Sequence, residues 1–201
     1  MSKKPISVYI IGPSSTGKTT LCNALAQKLG VPKEAYVTEV ARKVMRETGF
    51  SRDTIGSLEM QRTIMEEHFR REEAFDENNA ASTRYLPIRL FDRSAIDPIV
   101  YAILTSKDAS EAIARKNALI DMHGFRRALT KYTSPNSVVV LLKPVKEWVQ
   151  DDGVRSLEDL ERCLAIFQSL LGELGVRYRE LGEEEKRLEA RVVRLMGVLG
   201  L

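Results

Sequence analysis

Cysteine is almost missing from this sequence. Cys22 and Cys163 are its only two, and they stand far apart. Two solitary thiols build neither a disulfide framework nor a paired metal motif. Each lies beside apolar residues in a helical pattern, so both are expected as buried free thiols. Histidine is as scarce: His68 and His123 have no metal-ligand spacing and read as surface or helix-packing residues. A dominant charge is missing too. The 31 Lys and Arg are scattered among 28 Asp and Glu, leaving a net charge of +3. That is too mild to argue for the basic stripe of a nucleic-acid binder. No apolar run approaches the roughly 18 residues of a membrane span. The run in MSKKPISVYIIG stops at a glycine loop, too soon for the apolar core of a signal peptide. There is no internal repeat and no low-complexity tract. The expectation is one intracellular, cytoplasmic domain over residues 1–201, with no membrane and no nucleic acid among its partners. Its length suffices for a full core, and its 43% hydrophobic and 29% charged residues are ordinary for a globular chain.

Five short apolar runs are present and alternate with helical patterns. Ile6–Ile11 is β-branched and unbroken. Tyr36–Thr38 is a shorter strand, and PIRLFDRS, SVVVLLKP and GVRYREL supply three more. Helices are predicted over Lys18–Leu29, after Thr38, over 57–79 with Ser57 as cap, through DPIVYAILT, and within 108–131. Two more follow. SLEDLERCLAIFQSLL spaces Leu157, Leu160, Leu164, Phe167 and Leu171 by 3, 4, 3 and 4, and a final helix over 183–199 opens on Glu183–Glu185. Strands that are apolar throughout, alternating with helices, predict an α/β fold: a three-layer α/β/α sandwich around a five-stranded, mainly parallel sheet. In such folds functional groups gather at the carboxyl ends of the strands. Whatever follows each strand is therefore a candidate.

After the first strand comes GPSSTGKTTL, in which Gly12, Gly17, Lys18 and Thr19 give the spacing G-x-x-x-x-G-K-T. The glycines let the backbone curl so that successive N–H groups point at phosphates, and the helix that follows presents its positive end. Gly12, Pro13, Ser14, Ser15, Thr16, Gly17, Lys18, Thr19 and Thr20 are the nucleotide-binding candidates. Lys18 would reach the β- and γ-phosphates and Thr19 would ligate Mg²⁺. The motif lies between a predicted strand and a predicted helix, the context it requires, so ATP and Mg²⁺ are the expected cofactors.

After the second strand come Glu39 and Arg42, three residues apart on one helix face. Either they form a surface ion pair, or the carboxylate accepts a proton from a substrate hydroxyl while the arginine meets phosphate. After the third strand comes FDRS. An acid such as Asp92 at the end of a buried strand is costly unless it meets a cation, so Asp92 is a candidate for metal and substrate. Arg93 could hold phosphate and Ser94 could cap the next helix. Asp97, before Pro98, reads as an N-cap. After the fourth strand, WVQDDGVRS resembles a lid-like segment within about 145–158. There Arg155 could stabilise a transferring phosphoryl group, and Asp151 and Asp152 could orient the flap or touch substrate. Trp148, the one tryptophan, either stacks on a base or sugar or serves as a core or hinge residue. The segment around Gly182 is where such folds meet adenine.

Taken together, GPSSTGKTTL, VTEVAR (37–42), LFDRSAIDPIVYA (90–102) and WVQDDGVRS (148–156) resemble the NadR-like family of P-loop ATPase and kinase domains, an AAA-type NTPase group. The resemblance implies a nucleoside- or nucleotide-kinase-like fold and, from the family's bacterial namesake, phosphorylation of nicotinamide riboside by ATP. It implies that Glu39 or Asp92 acts at the acceptor hydroxyl and the metal, and that Arg155 is the lid arginine. Three function classes stay open, one of them a binding module without chemistry, against which the intact Lys18, Thr19 and Asp92 argue. The leading class is phosphotransfer to a small nucleoside-like acceptor. The next is a P-loop ATPase or nucleotide-dependent switch acting on a protein partner. A motor normally ends a strand in paired acids, whereas LFDR carries one, and no N-K-x-D guanine signature is present.

Overall fold

The computed structural model describes residues 5–81, 88–148 and 157–201. The apolar runs do form strands: β1 (Ile6–Ile11), β2 (Tyr36–Val37), β3 (Ile88–Asp92), β4 (Ser137–Leu142) and β5 (Tyr178–Leu181). All four pairings are parallel, in the order β2-β3-β1-β4-β5. β1 therefore lies between β3 and β4, and the strand order reverses about it. In an open parallel sheet that reversal is where a crevice opens at the carboxyl ends. The phosphate-loop motif follows directly from β1.

Successive side chains of β1 point to opposite faces, so an unbroken apolar run fills two cores. Val8 and Ile10 pack with Leu21, Cys22 and Leu25 of α1 (Lys18–Leu29) and Val192 and Leu195 of a C-terminal helix, Leu188–Leu199. Tyr9 and Ile11 face the other layer. That layer contains α2 (Val40–Thr48), α3 (Leu58–Ala81), α4 (Ile96–Leu104), α5 (Ala109–Ile120), α6 (His123–Tyr132) and α7 (Leu157–Glu173). Its centre is aromatic: Tyr9 stacks on Phe91 at 4.5 Å, and Tyr132 meets Tyr9 edge-on at 4.8 Å. Both cysteines are buried and free. Ser57 caps α3, its hydroxyl accepting from the Met60 N–H at 3.3 Å. Among the described residues no helix is long and apolar enough to cross a membrane.

Three expectations shift. β2 stops at Val37, and the chain turns through left-handed Glu39 into α2, with the Thr38 hydroxyl donating to Asp92. The final helix, α8 (Leu188–Leu199), does not open on Glu183–Glu185, which form a separate 3-10 turn closed by the Glu185 N–H on the Gly182 carbonyl. Those acids serve the neighbouring loop instead: Glu183 accepts the Lys146 N–H at 3.1 Å, and Glu184 pairs with Lys143 at 3.7 Å. Asp97 is not the N-cap of α4. That place is taken by Ala95, and Asp97 lies inside the first turn, its carboxylate folded back onto the Ser94 N–H at 3.0 Å. Pro98 is also within that turn, where no intrahelical N–H is needed, so it leaves the helix free to start earlier.

His68 on α3 is 1% exposed, and neither ring nitrogen has a hydrogen-bond partner among the described residues. Burial, and then the nearby Arg93 charge, push its pKa down to about 3. The unfolded chain thus binds a proton below about pH 6.5 that the folded chain refuses. The stability of neutral His68 is fully present above that pH and is lost as the pH falls toward 3, by up to about 1.4 kcal/mol per pH unit. His68→Leu is expected to flatten the drop in thermal midpoint between pH 7 and pH 5. A drop identical to wild type would show that His68 does not titrate on unfolding.

Candidate active site at the strand ends

The loop after β1 is shaped by backbone constraints. Gly12 has φ 135°, and a Cβ there would come within 2.5 Å of the Leu142 carbonyl oxygen. Only glycine lets the loop leave β1 this close to β4. Gly17, at φ 82°, heads α1 with no side-chain cap, so the first-turn N–H groups are left to a ligand. Inside the loop the Thr16 hydroxyl donates to the Pro13 carbonyl at 3.0 Å. The Lys18 ammonium donates to that carbonyl and to Thr16 Oγ1. Lys18 is 5% exposed, and burial, followed by the Arg93 charge, lowers its pKa to about 7. Ser14 is half-buried, and Ser15 and Thr20 are exposed.

Asp92, at the end of β3, is 4% exposed. Its Oδ2 accepts the Thr19 hydroxyl at 2.6 Å and the Thr38 hydroxyl at 3.1 Å. Its Oδ1 is buried and has no partner among the described residues. One carboxylate thus joins the phosphate loop, the end of β2 and the end of β3, and keeps an oxygen in reserve. The two residues expected at a metal, Thr19 and Asp92, are in contact. The fit to Mg²⁺ is good: a hydroxyl and a carboxylate oxygen adjoin a phosphate loop, and Mg²⁺ in such sites takes one or two protein ligands and fills the rest with water and phosphate. Among the described residues no group of three or more His, Cys, Asp and Glu could hold a metal unaided.

Glu39 follows Thr38 directly and heads α2 in a left-handed conformation, φ 59°. It pairs with Arg42 at 2.8 Å, and the Arg42 side chain is 67% exposed. Arg93, also left-handed at φ 79°, donates from Nη1 to Asp97 at 2.9 Å and lies 5.9 Å over the Tyr101 ring. Asp97 is a brace for Arg93, buried at 3% exposure. Arg155, Asp151, Asp152 and most of the lid-like segment lie outside the described residues. Trp148 is described: it stands beside Gly17, and its ring faces Arg191 of α8.

Sequence reasoning missed Thr38, whose hydroxyl gave no signal of its own, and Arg191. For Arg191 a signal existed: it falls on the apolar face of α8, three residues after Leu188 and four before Leu195. The left-handed backbone also went unseen. Among the described residues the non-glycine positions with positive φ are Ser15, Glu39 and Arg93, one after each of β1, β2 and β3.

A parallel sheet in this order, with this loop after β1, defines a P-loop α/β protein of the nucleotide-kinase-like type. Residues 7–187 match the family model described as AAA domain, and the chain belongs to that family. No curated protein matches. Among solved structures the fold is similar to NadR protein in complex with NR, with a TM-score of 0.69 and 17% identity, covering 98% of this chain and 51% of that one. It is similar to NadR protein in complex with NAD and AMP-PNP, with a TM-score of 0.68, 16% identity and coverages of 98% and 50%. The chain thus spans about half the length of those NadR chains. A deoxyadenosine kinase from M. mycoides with bound dCTP has a TM-score of 0.63 and 12% identity, covering 97% of this chain and 99% of that one.

If the close approach at Gly12 shapes the loop, Gly12→Ala should cost about 2–4 kcal/mol of unfolding free energy, from disfavoured φ and backbone crowding. Denaturant titration reads this directly, and a midpoint within error of wild type would remove the constraint.

Proposed function

We propose that the protein is an ATP- and Mg²⁺-dependent phosphotransferase acting on the hydroxyl of a small nucleoside-like acceptor, with nicotinamide riboside among the candidates. The observation that carries this reading is the placement of Glu39. It is a half-exposed carboxylate held in a left-handed conformation, one residue beyond the Thr38 that donates to Asp92. An acid beside the metal corner but outside it suits a base for an acceptor hydroxyl.

In this reading the residues divide the labour. The loop 12–20 and the head of α1 take the phosphates through N–H groups and the helix dipole. Lys18 offers a buried donor whose proton is retained once phosphate charge adjoins it. Thr19 and Asp92 would hold Mg²⁺, which supplies charge neutralisation at the phosphate oxygens. Arg93, braced by Asp97, and Arg42 add positive charge at the edge where the acceptor would enter. Arg155 and Asp152 are assigned lid and acceptor roles on sequence alone. Catalysis of this kind is mostly positioning and electrostatic stabilisation. The kinase-like fold of NadR and deoxyadenosine kinase supports the reading. The family's AAA description keeps an ATPase acting on a protein partner as the second reading.

The test incubates purified protein with ATP–Mg²⁺ and a panel of nucleosides, including nicotinamide riboside and deoxyadenosine, and follows ADP. ADP that appears only with a particular acceptor supports the kinase; ADP at one rate with every acceptor and with none favours the ATPase and sinks the proposal. Lys18→Ala is expected to lower turnover by about a hundredfold or more. Glu39→Gln should reduce kcat by about 10²–10⁴ with the ATP KM little changed. An unaffected kcat would assign the proton transfer elsewhere.

A further inference from the structure

Arg191 is the largest of the fully buried side chains, at 1% exposure, and it sits on the apolar face of α8 among Leu188, Val192 and Leu195. An arginine cannot escape burial by losing its proton, so it has to be met by acceptors. Nε donates to the Glu185 carbonyl at 2.6 Å, Nη2 to the Gly182 carbonyl at 3.1 Å, and Nη1 to the Thr16 carbonyl at 3.1 Å. The Trp148 ring covers one face of the guanidinium, 4.5 Å from Cζ to the ring centroid. Its hydrogen-bond acceptors among the described residues are three backbone carbonyls, with an aromatic face above and the Glu185 and Glu184 charges near enough to be felt.

What matters is which carbonyls they are. Thr16 belongs to the phosphate loop. Gly182 and Glu185 belong to the turn after β5. The described peptides are all trans, and in a trans peptide the C=O and the following N–H point in opposite directions. With the Thr16 C=O turned to Arg191, the Gly17 N–H of the same peptide, at the head of α1, points away from the guanidinium. A charge-assisted bond is stronger than a neutral one, and it polarises the peptide it engages, making that N–H a better donor. Trp148 completes the arrangement: a Cβ on Gly17 would lie 3.3 Å from its ring and 3.8 Å from Arg191 Nη1.

We propose that Arg191 is a positioning residue of the nucleotide site. One guanidinium fixes the Thr16–Gly17 peptide of the phosphate loop against the Gly182–Glu185 turn, under Trp148, so that nucleotide affinity depends on a side chain that need not touch the nucleotide. The proposal rests on the reading that loop 12–20 holds a nucleotide.

Trp148 is the one tryptophan of the chain, so emission excited at the red edge, where tyrosine does not absorb, comes from this ring. Wild-type protein is titrated with ADP–Mg²⁺ and ATP–Mg²⁺ by calorimetry and by tryptophan fluorescence. Arg191→Met, Arg191→Lys and Trp148→Phe are then titrated by calorimetry, the two Arg191 variants also by fluorescence, and circular dichroism gives the folded fraction. For Arg191→Met a nucleotide Kd raised at least tenfold is expected, with the acceptor KM within twofold and the nucleotide-induced emission change lost. Arg191→Lys, which keeps the charge and loses the fork, should fall between, and Trp148→Phe should shift Kd by threefold or less. A merely structural arginine would lower the melting temperature and the active fraction while leaving Kd per folded molecule unchanged, and that outcome overturns the proposal. Should Arg191→Met not fold, Arg191→Lys decides: a Kd raised at least threefold supports the proposal, and an unchanged Kd refutes it. Wild-type protein that binds no nucleotide removes the loop reading itself, a failure distinct from binding that is indifferent to Arg191.

Discussion

A carboxylate at the end of a buried strand sets the form of this site. Asp92 is 4% exposed, and a buried charge is tolerable only where donors or cations meet it. The strand order decides which donors are available. β3 pairs with β2 on one side and β1 on the other, so its carboxyl end is within reach of both neighbouring loops. Each loop delivers a threonine hydroxyl there, Thr19 from the head of α1 and Thr38 from the turn into α2. The requirement of one acid thus draws the phosphate loop, the Glu39 turn and the Asp92–Arg93 turn into a single corner. Moving any one of these strands in the order would leave Asp92 with fewer donors and scatter the candidate residues.

The elements that could be read in advance are those with a one-dimensional signature. β1 and α1 have the bounds that apolar continuity and the glycine spacing suggest, because both signals lie within the segment itself. The parallel sheet was also legible, since strands buried on both faces lose their alternation. What could not be read depends on partners distant in sequence. Glu183–Glu185 suit a helix N-terminus by charge, yet Lys146 and Lys143 across the β4–β5 edge take up Glu183 and Glu184. Asp97 has the look of a cap beside Pro98, yet Arg93 and the Ser94 N–H claim it. Arg191 lies on the apolar face of α8, but its acceptors, the Thr16, Gly182 and Glu185 carbonyls, are set by the fold.

The same division applies to the candidate site. Lys18, Thr19, Glu39, Arg42, Asp92 and Arg93 were each placed after a strand by pattern alone, and the contacts between Thr19 and Asp92 and between Glu39 and Arg42 are now explicit. The pattern could not show the buried, unpartnered oxygen of Asp92 or the lowered pKa of Lys18. Both come from neighbours packed over them, including Arg93, whose charge acts on Lys18 and on His68 alike.

Backbone strain ties these features together. Ser15, Glu39 and Arg93 carry no glycine to ease a positive φ, and a left-handed conformation costs a non-glycine residue roughly 1–2 kcal/mol. Three such residues are a sizeable charge against the 5–15 kcal/mol of a typical domain. They persist because the surroundings over-determine them. The Arg93 N–H continues the sheet ladder by donating to the Ile10 carbonyl at 2.9 Å, and the Glu39 carbonyl accepts the Lys43 N–H at 2.9 Å as the first turn of α2. A ladder and a helix each hold one end of the turn, so the residue between them has no relaxed alternative. The direction in which Glu39 and Arg93 leave the backbone is therefore set by the fold and not by a choice of rotamer. That rigidity suits groups that must already be in position when charge develops in a transition state. The strain collects after β1, β2 and β3, the strand ends that frame Asp92.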